Sequence, residues 1–534
     1  MSHLGLPHLL LALPGQPRSA STQPAYHRLA LGSLLGMALS FATPLTVHAQ
    51  STSTEKDGLP RLESSECVTE ALKAMEAKCY TFHGEENWDA PNGNSVQLPV
   101  AVIAPESGEP ESVPVVFFPG GPGYSSLGER DYLEQLRKDI GNRTLITLDH
   151  RGFIHAEPSL ECPEYAKVSP YHNVFHTPAI TASLNPMQRL EHIVPAVGEC
   201  YRKLVEEGID VSQYNSYAIS RDVDELRRLL EYETIDGFGS STGSGTLASY
   251  VQYYPDSTRA AIFGWPWFNH LRNRPPVDEF YTAKQTFTDA LALCVAQDEA
   301  CRTLIPDWLK AIDRARRVLD ERPYIAQVGE GESEKTLYFD GAAFLDTLYL
   351  SLASDYALLP SLVADIQAGD YSRLPDFFRV EDYNPNPEAP NYALGYFLAH
   401  VCNDMGSNRP TPQDSRTAVQ REPAVLGFEP PWLCAWWGED GAVPDEHNDP
   451  PHGDTPALAI HGQMDPCCGT RWSQHLQRTL PDLQYVEFQA KGHSPVTECR
   501  STLVNAFLDD PHAELDTSCR DEVALEPWVL EPPS

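Results

Sequence analysis

The chain has 534 residues, a hydrophobic content of 41% and a formal net charge of −36 at pH 7. This length and apolar content allow a large buried core, which excludes a disordered or fibrous protein and suits one enlarged domain or a domain with a substantial insertion. The strong acidity argues against nucleic acid as a partner, because a polyanion is bound mainly through basic side chains.

The N-terminal region has the pattern of a secretory signal peptide. Arg18 and Arg28 precede an apolar run over 29–45, and the A-x-A-like residues 47–49 follow it. The alternative, a permanent membrane anchor, is disfavoured because the run is short and is interrupted by small residues and a proline. We therefore predict cleavage of residues 1–49, no stable membrane span afterwards, and a secreted or periplasmic protein.

Twelve cysteines agree with export to an oxidising compartment. Their spacing suggests five local disulfides, although sequence alone cannot fix connectivity. The suggested pairs are Cys67 with Cys79, Cys162 with Cys200, Cys294 with Cys301, Cys402 with Cys434, and Cys499 with Cys519. Cys467 and Cys468 are left over, and three alternatives stay open: a bridge between them, pairing elsewhere, or no bond. No histidine cluster or second Cys-x-x-Cys lies at ligand spacing, so neither a metal site nor a cofactor is predicted.

The first part of the chain alternates between strand and helix patterns. Helices are predicted over 220–230 and 246–254, and the strands over 96–103, 113–118, 144–148 and 259–264. Such alternation is typical of parallel βαβ units, so an α/β fold with a mostly parallel sheet is expected.

The pattern changes between 269 and 451. Helices are predicted over 281–295 and 308–319, then a hairpin of 324–328 with 336–339, then proline-rich loops such as that at 384–390. Buried-strand patterns return at 456–460 and 485–488. We therefore expect a core of 50–268 and 452–534, interrupted by a mainly helical cap over 269–451.

The serine-rich stretch 237–250 contains one frame that satisfies G-x-S-x-G, and this frame nominates Ser241 as a nucleophile. Small residues are needed two positions either side because a sharp strand-to-helix turn leaves no room for larger side chains. Ser240 and Ser244 fail, since each lacks a glycine two positions before it. The segment 234–238, which should be the preceding strand, is poor by propensity.

Two further residues supply partners for this serine. Asp465 follows the predicted strand 456–460, and His493 follows the strand 485–488. Loops at the carboxyl ends of parallel strands share one edge of the sheet, where open α/β sheets hold their chemistry. The order Ser, Asp, His is that of α/β-hydrolases. In this arrangement the histidine accepts the serine proton and the aspartate orients the imidazole. His461 is a rival base, but it precedes the acid at a strand end, where no role in the triad remains.

The glycine-rich segment 119–123, which follows the strand 113–118, is a candidate oxyanion loop. Glycines allow a bare backbone N–H to approach a substrate carbonyl. The expected donors are the amide of Thr242 and one amide of Gly120 or Gly121.

Several motifs together resemble the secreted relatives of prolyl aminopeptidase and tripeptidyl aminopeptidase, which are serine peptidases of the α/β-hydrolase fold. The similarity is spread over PGGPG at 119–123, DHRG at 149–152, RDVDELRRLL at 221–230, STGSGTLASYVQYYP at 241–255, GHSPVTECR at 492–500 and FLDDPHAELDTSC at 507–519. The last two motifs resemble a tripeptidyl aminopeptidase-like C-terminal region. Thr242 departs from the family, which usually has an aromatic residue there, and so does FIHA at 153–156.

The resemblance implies a secreted serine exopeptidase that releases amino acids or short peptides from peptide N-termini, with cap residues binding the substrate ammonium. The runner-up is an esterase or amidase that acts on small acyl substrates with the same triad. A catalytically inactive binding protein is a third class, and the intact Ser241, Asp465 and His493 argue against it.

Overall fold

The computed structural model describes residues 58–106, 108, 110–166, 168, 186–268, 278–328, 335–341, 344–345, 356–374, 393–421, 432–438, 443–469, 471–489, 491–523 and 527–530. The predicted signal peptide over 1–49 and the proline-rich loop at 384–390 lie outside the described residues.

A nine-stranded sheet organises the protein. Its strands are β1 Arg61–Ser64, β2 Lys78–Glu85, β3 Ser95–Ile103, β4 Val115–Phe118, β5 Leu145–Leu148, β6 Ile235–Ser240, β7 Thr258–Gly264, β10 Ala457–Gly462 and β11 Leu483–Phe488; a separate hairpin pairs β8 Tyr324–Val328 with β9 Lys335–Phe339. The order in the sheet is β1-β2-β3-β5-β4-β6-β7-β10-β11. The pairs from β1 to β3 and the β3–β5 pair are antiparallel, and the remaining pairs are parallel. The predicted α/β class with a mostly parallel sheet is confirmed.

The central strand β6 forms where propensity argues against it. Its six residues are buried between β4 and β7. A Cβ at Gly237 would lie 2.2 Å from a methyl carbon of Leu247, so glycine permits close packing of the following helix. Asp236 is buried in an ion pair with Arg259. Tertiary packing and this ion pair therefore override the weak local preference.

Helices connect and flank the strands. Their bounds are Glu70–Ala74, Arg130–Ile140, Pro163–Ala166, Pro186–Glu206, Ser216–Leu229, Thr242–Tyr253, Asp278–Gln297, Glu299–Leu304, Trp308–Glu321, Leu359–Ala368, Leu394–Asp404, Pro412–Arg421, Arg471–Leu476 and Glu498–Asp509. The helix predicted over 220–230 begins earlier, because the Asn215 side chain caps it by accepting from the Ala218 N–H. The helix predicted over 246–254 begins at Thr242, directly after Ser241.

A second hydrophobic cluster lies apart from the core of the sheet. It joins buried residues of the helices Asp278–Gln297, Trp308–Glu321 and Leu359–Ala368 and also includes Met464, next to Asp465. The helix Leu394–Asp404, by contrast, packs into the main core. Only part of the predicted cap therefore has a core of its own, and its boundaries at 269 and 451 remain a prediction.

All twelve cysteines form disulfides. The five suggested pairs are confirmed, and the alternative of a bridge between Cys467 and Cys468 is the one observed. This set fits an oxidising compartment. Within the described ranges, no helix combines the length and apolar character needed to cross a membrane.

Candidate active site

Ser241 occupies a strained turn between β6 and the following helix. Its φ of 54° and ψ of −121° lie where a non-glycine residue is disfavoured. Its N–H donates to the Gly264 carbonyl at 2.9 Å, and its carbonyl accepts from the N–H groups of Ser244 at 3.0 Å and Trp267 at 3.1 Å. Three backbone hydrogen bonds thus hold the strained conformation, while the half-buried side-chain hydroxyl takes no part in them.

The two glycines of the G-x-S-x-G frame are required by space. A Cβ at Gly239 would lie 2.6 Å from the Cα of Ser244, and one at Gly243 would lie 2.0 Å from the carbonyl oxygen of Phe118. Both neighbours are backbone atoms, which cannot move aside as a flexible side chain does. Glycine at these two positions therefore lets the turn pack without displacing its backbone neighbours.

The neighbouring serines have structural partners. Ser240 Oγ accepts from the Tyr132 hydroxyl at 3.1 Å and from the indole Nε1 of Trp265 at 2.9 Å. Ser244 Oγ is buried and donates to the Gly239 carbonyl at 3.0 Å. Of the three hydroxyls, that of Ser241 is the one that these contacts leave available.

Asp465 and His493 form a hydrogen-bonded pair at the carboxyl edge of the sheet. The Asp465 side chain is fully buried, and its Oδ2 lies 2.8 Å from Nδ1 of His493. Because Nδ1 is engaged, Nε2 is the ring nitrogen left to accept a proton. The His493 side chain is 28% exposed, so a substrate can reach it.

Close backbone contacts fix the two loops that carry this pair. A Cβ at Gly462, the last residue of β10, would lie 2.0 Å from the Gly492 carbonyl oxygen. The Met464 N–H donates to the Lys491 carbonyl at 2.8 Å. The loop of the acid therefore rests directly on the loop of the histidine.

Ser241 reaches the same edge from β6, which is separated from β10 by β7. In the part of the chain that the structure describes, its hydroxyl makes no hydrogen bond to His493. Catalytic hydrogen bonds often tighten only when substrate is bound.

His461, the rival base, is a buried structural residue. Its Nδ1 lies 2.8 Å from the Cys468 carbonyl oxygen, and its Nε2 is hydrogen-bonded to the Ser473 hydroxyl. Burial lowers the pKa of the imidazole to about 4. A neutral ring with both nitrogens occupied is not available as a base.

The glycine-rich loop 119–123 lies against the turn of Ser241. A Cβ at Gly120 would lie 2.9 Å from the Cβ of Ser241, and Gly121 has a φ of 127°. Thr242 is buried as the first residue of the helix, and the structure describes no partner for its Oγ1. This arrangement places the loop and the start of the helix beside Ser241, and the amides of Gly120, Gly121 and Thr242 stay predicted oxyanion donors.

Comparison with known proteins identifies the fold family of this chain. The family model for the alpha/beta hydrolase fold matches residues 113–498. The chain belongs to the alpha/beta hydrolase family. A search of curated proteins finds no match.

Similar solved structures of hydrolases include a proline iminopeptidase from Mycobacterium smegmatis, with 14% identity, a TM-score of 0.37, and coverage of 79% of this chain and 97% of that one. An esterase from Exiguobacterium antarcticum has 10% identity, a TM-score of 0.32, and coverage of 78% and 96%. An esterase from Thermogutta terrifontis has 14% identity, a TM-score of 0.32, and coverage of 79% and 96%.

Sequence reasoning missed Trp265, which follows β7 in this hydrolase. The residue is buried with a φ of 38°, and its N–H donates to the Ile460 carbonyl. Its ring centroid lies 6.1 Å from that of His493 in an edge-to-face arrangement, while Nε1 binds Ser240. The guanidinium of Arg500 lies 5.4 Å from the indole centroid. The only sequence signal was an aromatic residue directly after a buried strand, which is too common to single out.

The DHRG motif of the hydrolase is structural. Arg151 is fully buried and donates to both oxygens of Asp222, at 2.8 and 2.6 Å, and to the Glu86 carbonyl at 2.6 Å. Asp149 accepts from the Ser125 hydroxyl at 2.7 Å and pairs with Nδ1 of His155 at 2.8 Å. The motif thus connects the turn after β5 to the helix Ser216–Leu229, which precedes β6.

Two groups of possible metal ligands occur among the described residues of the hydrolase. They are Asp465, Cys467, Cys468 and His493, and Cys162, Glu164 and Cys200. The cysteines of both groups are joined in disulfides, so they offer no thiolate to a metal.

Proposed function

We propose that this chain is a secreted serine hydrolase that releases amino acids or short peptides from peptide N-termini, with Ser241, His493 and Asp465 as its triad. The observation that carries the proposal is the Asp465–His493 hydrogen bond, at the edge of the sheet where the strained Ser241 turn also lies. A buried acid, a partly exposed imidazole and a serine held at positive φ are the parts that acyl transfer requires.

In the proposed reaction, Ser241 Oγ attacks the scissile carbonyl and His493 Nε2 takes its proton. The oxyanion is stabilised by the Thr242 amide and an amide of Gly120 or Gly121. The imidazolium, stabilised by Asp465, then protonates the leaving amine, which departs and leaves an acyl-enzyme. Water, deprotonated by His493, hydrolyses the ester and regenerates the serine.

The choice of a peptide substrate is supported by the motif resemblance to prolyl and tripeptidyl aminopeptidases. Such an exopeptidase must offer an anionic group to the substrate ammonium, because burying an unpaired ammonium costs several kcal/mol. An esterase or amidase acting on small acyl substrates would use the same triad and is the alternative.

Fluorophosphonate labelling tests the nucleophile. We expect the folded wild-type protein to be labelled and Ser241→Ala to be unlabelled. Labelling that persists in Ser241→Ala would overturn the assignment.

A substrate comparison tests the reaction class. We expect free aminoacyl or tripeptidyl anilides to be hydrolysed faster than their N-blocked counterparts. Equal turnover of free and blocked peptides would remove the aminopeptidase proposal, and hydrolysis of simple acyl esters alone would favour the esterase. Mass spectrometry of a digested peptide mixture would then give the length of the product.

A further inference from the structure

The disulfide between Cys467 and Cys468 directly contacts the acid of the proposed triad. The N–H groups of Cys467 and Cys468 both donate to Oδ1 of Asp465, at 3.1 and 3.0 Å. The other oxygen, Oδ2, is thereby left for His493. The sulfur of Cys467 lies 3.4 Å from Oδ1 of Asp465 and 3.6 Å from Nδ1 of His493. Because this sulfur is oxidised, it carries no proton, and these two contacts are packing contacts.

The carbonyls of both cysteines are anchored too. The carbonyl of Cys467 accepts from the indole Nε1 of Trp472 at 3.0 Å. The carbonyl of Cys468 lies 2.8 Å from Nδ1 of His461. A bond between adjacent side chains closes a small ring that includes the peptide between them, which restricts the rotation of that peptide. The ring therefore keeps the Cys468 N–H directed at Oδ1 of Asp465, and it fixes the Cα that carries the Cys467 N–H.

We propose that the Cys467–Cys468 disulfide is a redox-sensitive positioning element for Asp465, so that its reduction lowers turnover. This inference rests on the proposed triad. The co-reactant is a dithiol or a phosphine; a phosphine gives two electrons and becomes the phosphine oxide, while one water molecule supplies the oxygen and the two thiol protons. A dithiol gives two electrons and two protons, the S–S bond breaks, two thiols form, and the dithiol becomes a cyclic disulfide. Reoxidation restores the bond.

Two physical effects connect reduction to activity. Without the bond, the two sulfurs must separate to van der Waals distance, which rotates the peptide between the cysteines and with it the Cys468 N–H that donates to Oδ1. The new thiol of Cys467 then lies next to the carboxylate and can donate to it, in competition with Nδ1 of His493. Both effects loosen the orientation of the imidazole.

Exposure makes this bridge reachable. Cys467 is partly exposed, whereas Cys468 is buried. In the Cys162–Cys200, Cys294–Cys301 and Cys402–Cys434 bridges, both cysteines are buried, whereas the Cys67–Cys79 and Cys499–Cys519 bridges each have one partly exposed cysteine, as the Cys467–Cys468 bridge does. A reductant used at low concentration should therefore reach the Cys467–Cys468 bridge before the three buried bridges.

The test compares the double variant Cys467→Ser/Cys468→Ser with the matched control Cys294→Ser/Cys301→Ser, which removes a bridge from the second hydrophobic cluster. We measure kcat and KM on an acyl ester together with the rate of fluorophosphonate labelling. For the first variant we expect kcat and labelling to fall tenfold to a thousandfold, less than the ~10⁴-fold loss caused by disabling a triad aspartate. KM should stay unchanged, because the substrate pocket is not altered. The control should keep the wild-type kcat.

Titration of the wild-type protein with a phosphine is the second measurement, and it remains decisive if the double variant does not fold. Mass spectrometry after alkylation identifies the reduced bridge. We expect kcat to fall in parallel with alkylation of Cys467 and to recover on reoxidation before alkylation. A folded double variant with wild-type kcat, or a wild-type protein fully active with this bridge reduced, would overturn the proposal. Failure of the triad itself appears separately, as labelling that Ser241→Ala does not abolish.

Discussion

The indole Nε1 of Trp265 donates a hydrogen bond to Oγ of Ser240, the residue immediately before the proposed nucleophile, at 2.9 Å. The same indole contacts the ring of His493 on the other side of the site. Trp265 therefore connects the strand that carries the serine to the loop that carries the base. Its positive φ shows that the backbone adopts a costly conformation to make this connection.

Trp265→Phe tests this connection, because it keeps an aromatic ring and removes the N–H group. We expect a loss of about 1 kcal/mol in stability and a fall in kcat of roughly tenfold, since the ring beside His493 is no longer held in place. Tyr132→Phe is the matched control: it removes the other donor to Ser240 and does not alter the contact with His493. Equal loss of kcat in both variants would mean that Trp265 acts only through Ser240.

The serine cluster provides a second test. Ser240→Ala and Ser244→Ala should each remain reactive towards a fluorophosphonate, and each should lower the free energy of unfolding by about 1 kcal/mol, because their hydroxyls make structural hydrogen bonds. Thermal unfolding and active-site labelling measure the two effects separately.

The variant Asp465→Asn tests the proposed acid. It should fold, and its kcat should fall by about 10⁴-fold, because the amide stabilises the wrong imidazole tautomer. Full activity of Asp465→Asn would exclude this residue as the acid.

Gly243→Ala tests the packing of the turn at Ser241 on the end of β4 and the start of the glycine-rich loop. Its Cβ would meet the Phe118 carbonyl oxygen at 2.0 Å. We expect a loss of about 1 to 3 kcal/mol in stability and a clear fall in the rate of labelling, because the loop must move. Gly198→Ala is the control, because Gly198 lies within the helix Pro186–Glu206 and a Cβ there would meet nothing within 4 Å. This variant should raise the free energy of unfolding by about 0.5 to 1 kcal/mol. Unfolding in urea measures both changes.

Stability should decrease in acid because of two buried histidines. Burial lowers the pKa of His150 to about 3 and that of His461 to about 4, whereas an unfolded histidine titrates near 6.5. As the pH falls below about 6.5, these two histidines become protonated in the unfolded chain but stay neutral in the native state. The free energy of unfolding therefore decreases until the pH reaches their pKa values in the folded protein. Between pH 7 and pH 4.5 each histidine should contribute roughly 2 to 3 kcal/mol to this loss.

The variant His150→Leu checks the sign and size of that effect. It replaces a ring that packs between Phe118 and Phe153 with an apolar side chain. In urea unfolding at pH 7 and pH 4.5, the variant should lose less stability on acidification than wild type does. His512→Gln, which changes an exposed histidine, should leave the pH dependence as in wild type. An unchanged loss in His150→Leu would show that His150 does not cause it.

The parts of the site that sequence could predict are those marked by local patterns. The spacing of two glycines predicted a sharp turn at Ser241, and the positions of Asp465 and His493 after buried strands predicted that they lie at one edge of the sheet. The short separations between cysteines also predicted five disulfides, since each closes a loop within a local unit.

The parts that sequence could not predict depend on residues distant along the chain. β6 is a poor strand by itself and forms because β4 and β7 flank it. Trp265 gains its role only when the strand ends of β6 and β10 and the loop of His493 are brought together. The contacts of Cys467 and Cys468 with Asp465 require the turn after β10 to fold back on itself.

The backbone hydrogen bonds of Ser241 have a consequence for the order of events in the cell. The Gly264 carbonyl and the Trp267 N–H hold Ser241 in its strained conformation. Both residues are synthesised after Ser241, because they lie further along the chain. A nascent or truncated polypeptide that stops short of β7 therefore lacks the hydrogen-bond partners of this turn, and it also lacks the proposed acid and base. Reactivity of the Ser241 hydroxyl should therefore arise only after the ribosome has completed β7, β10 and β11.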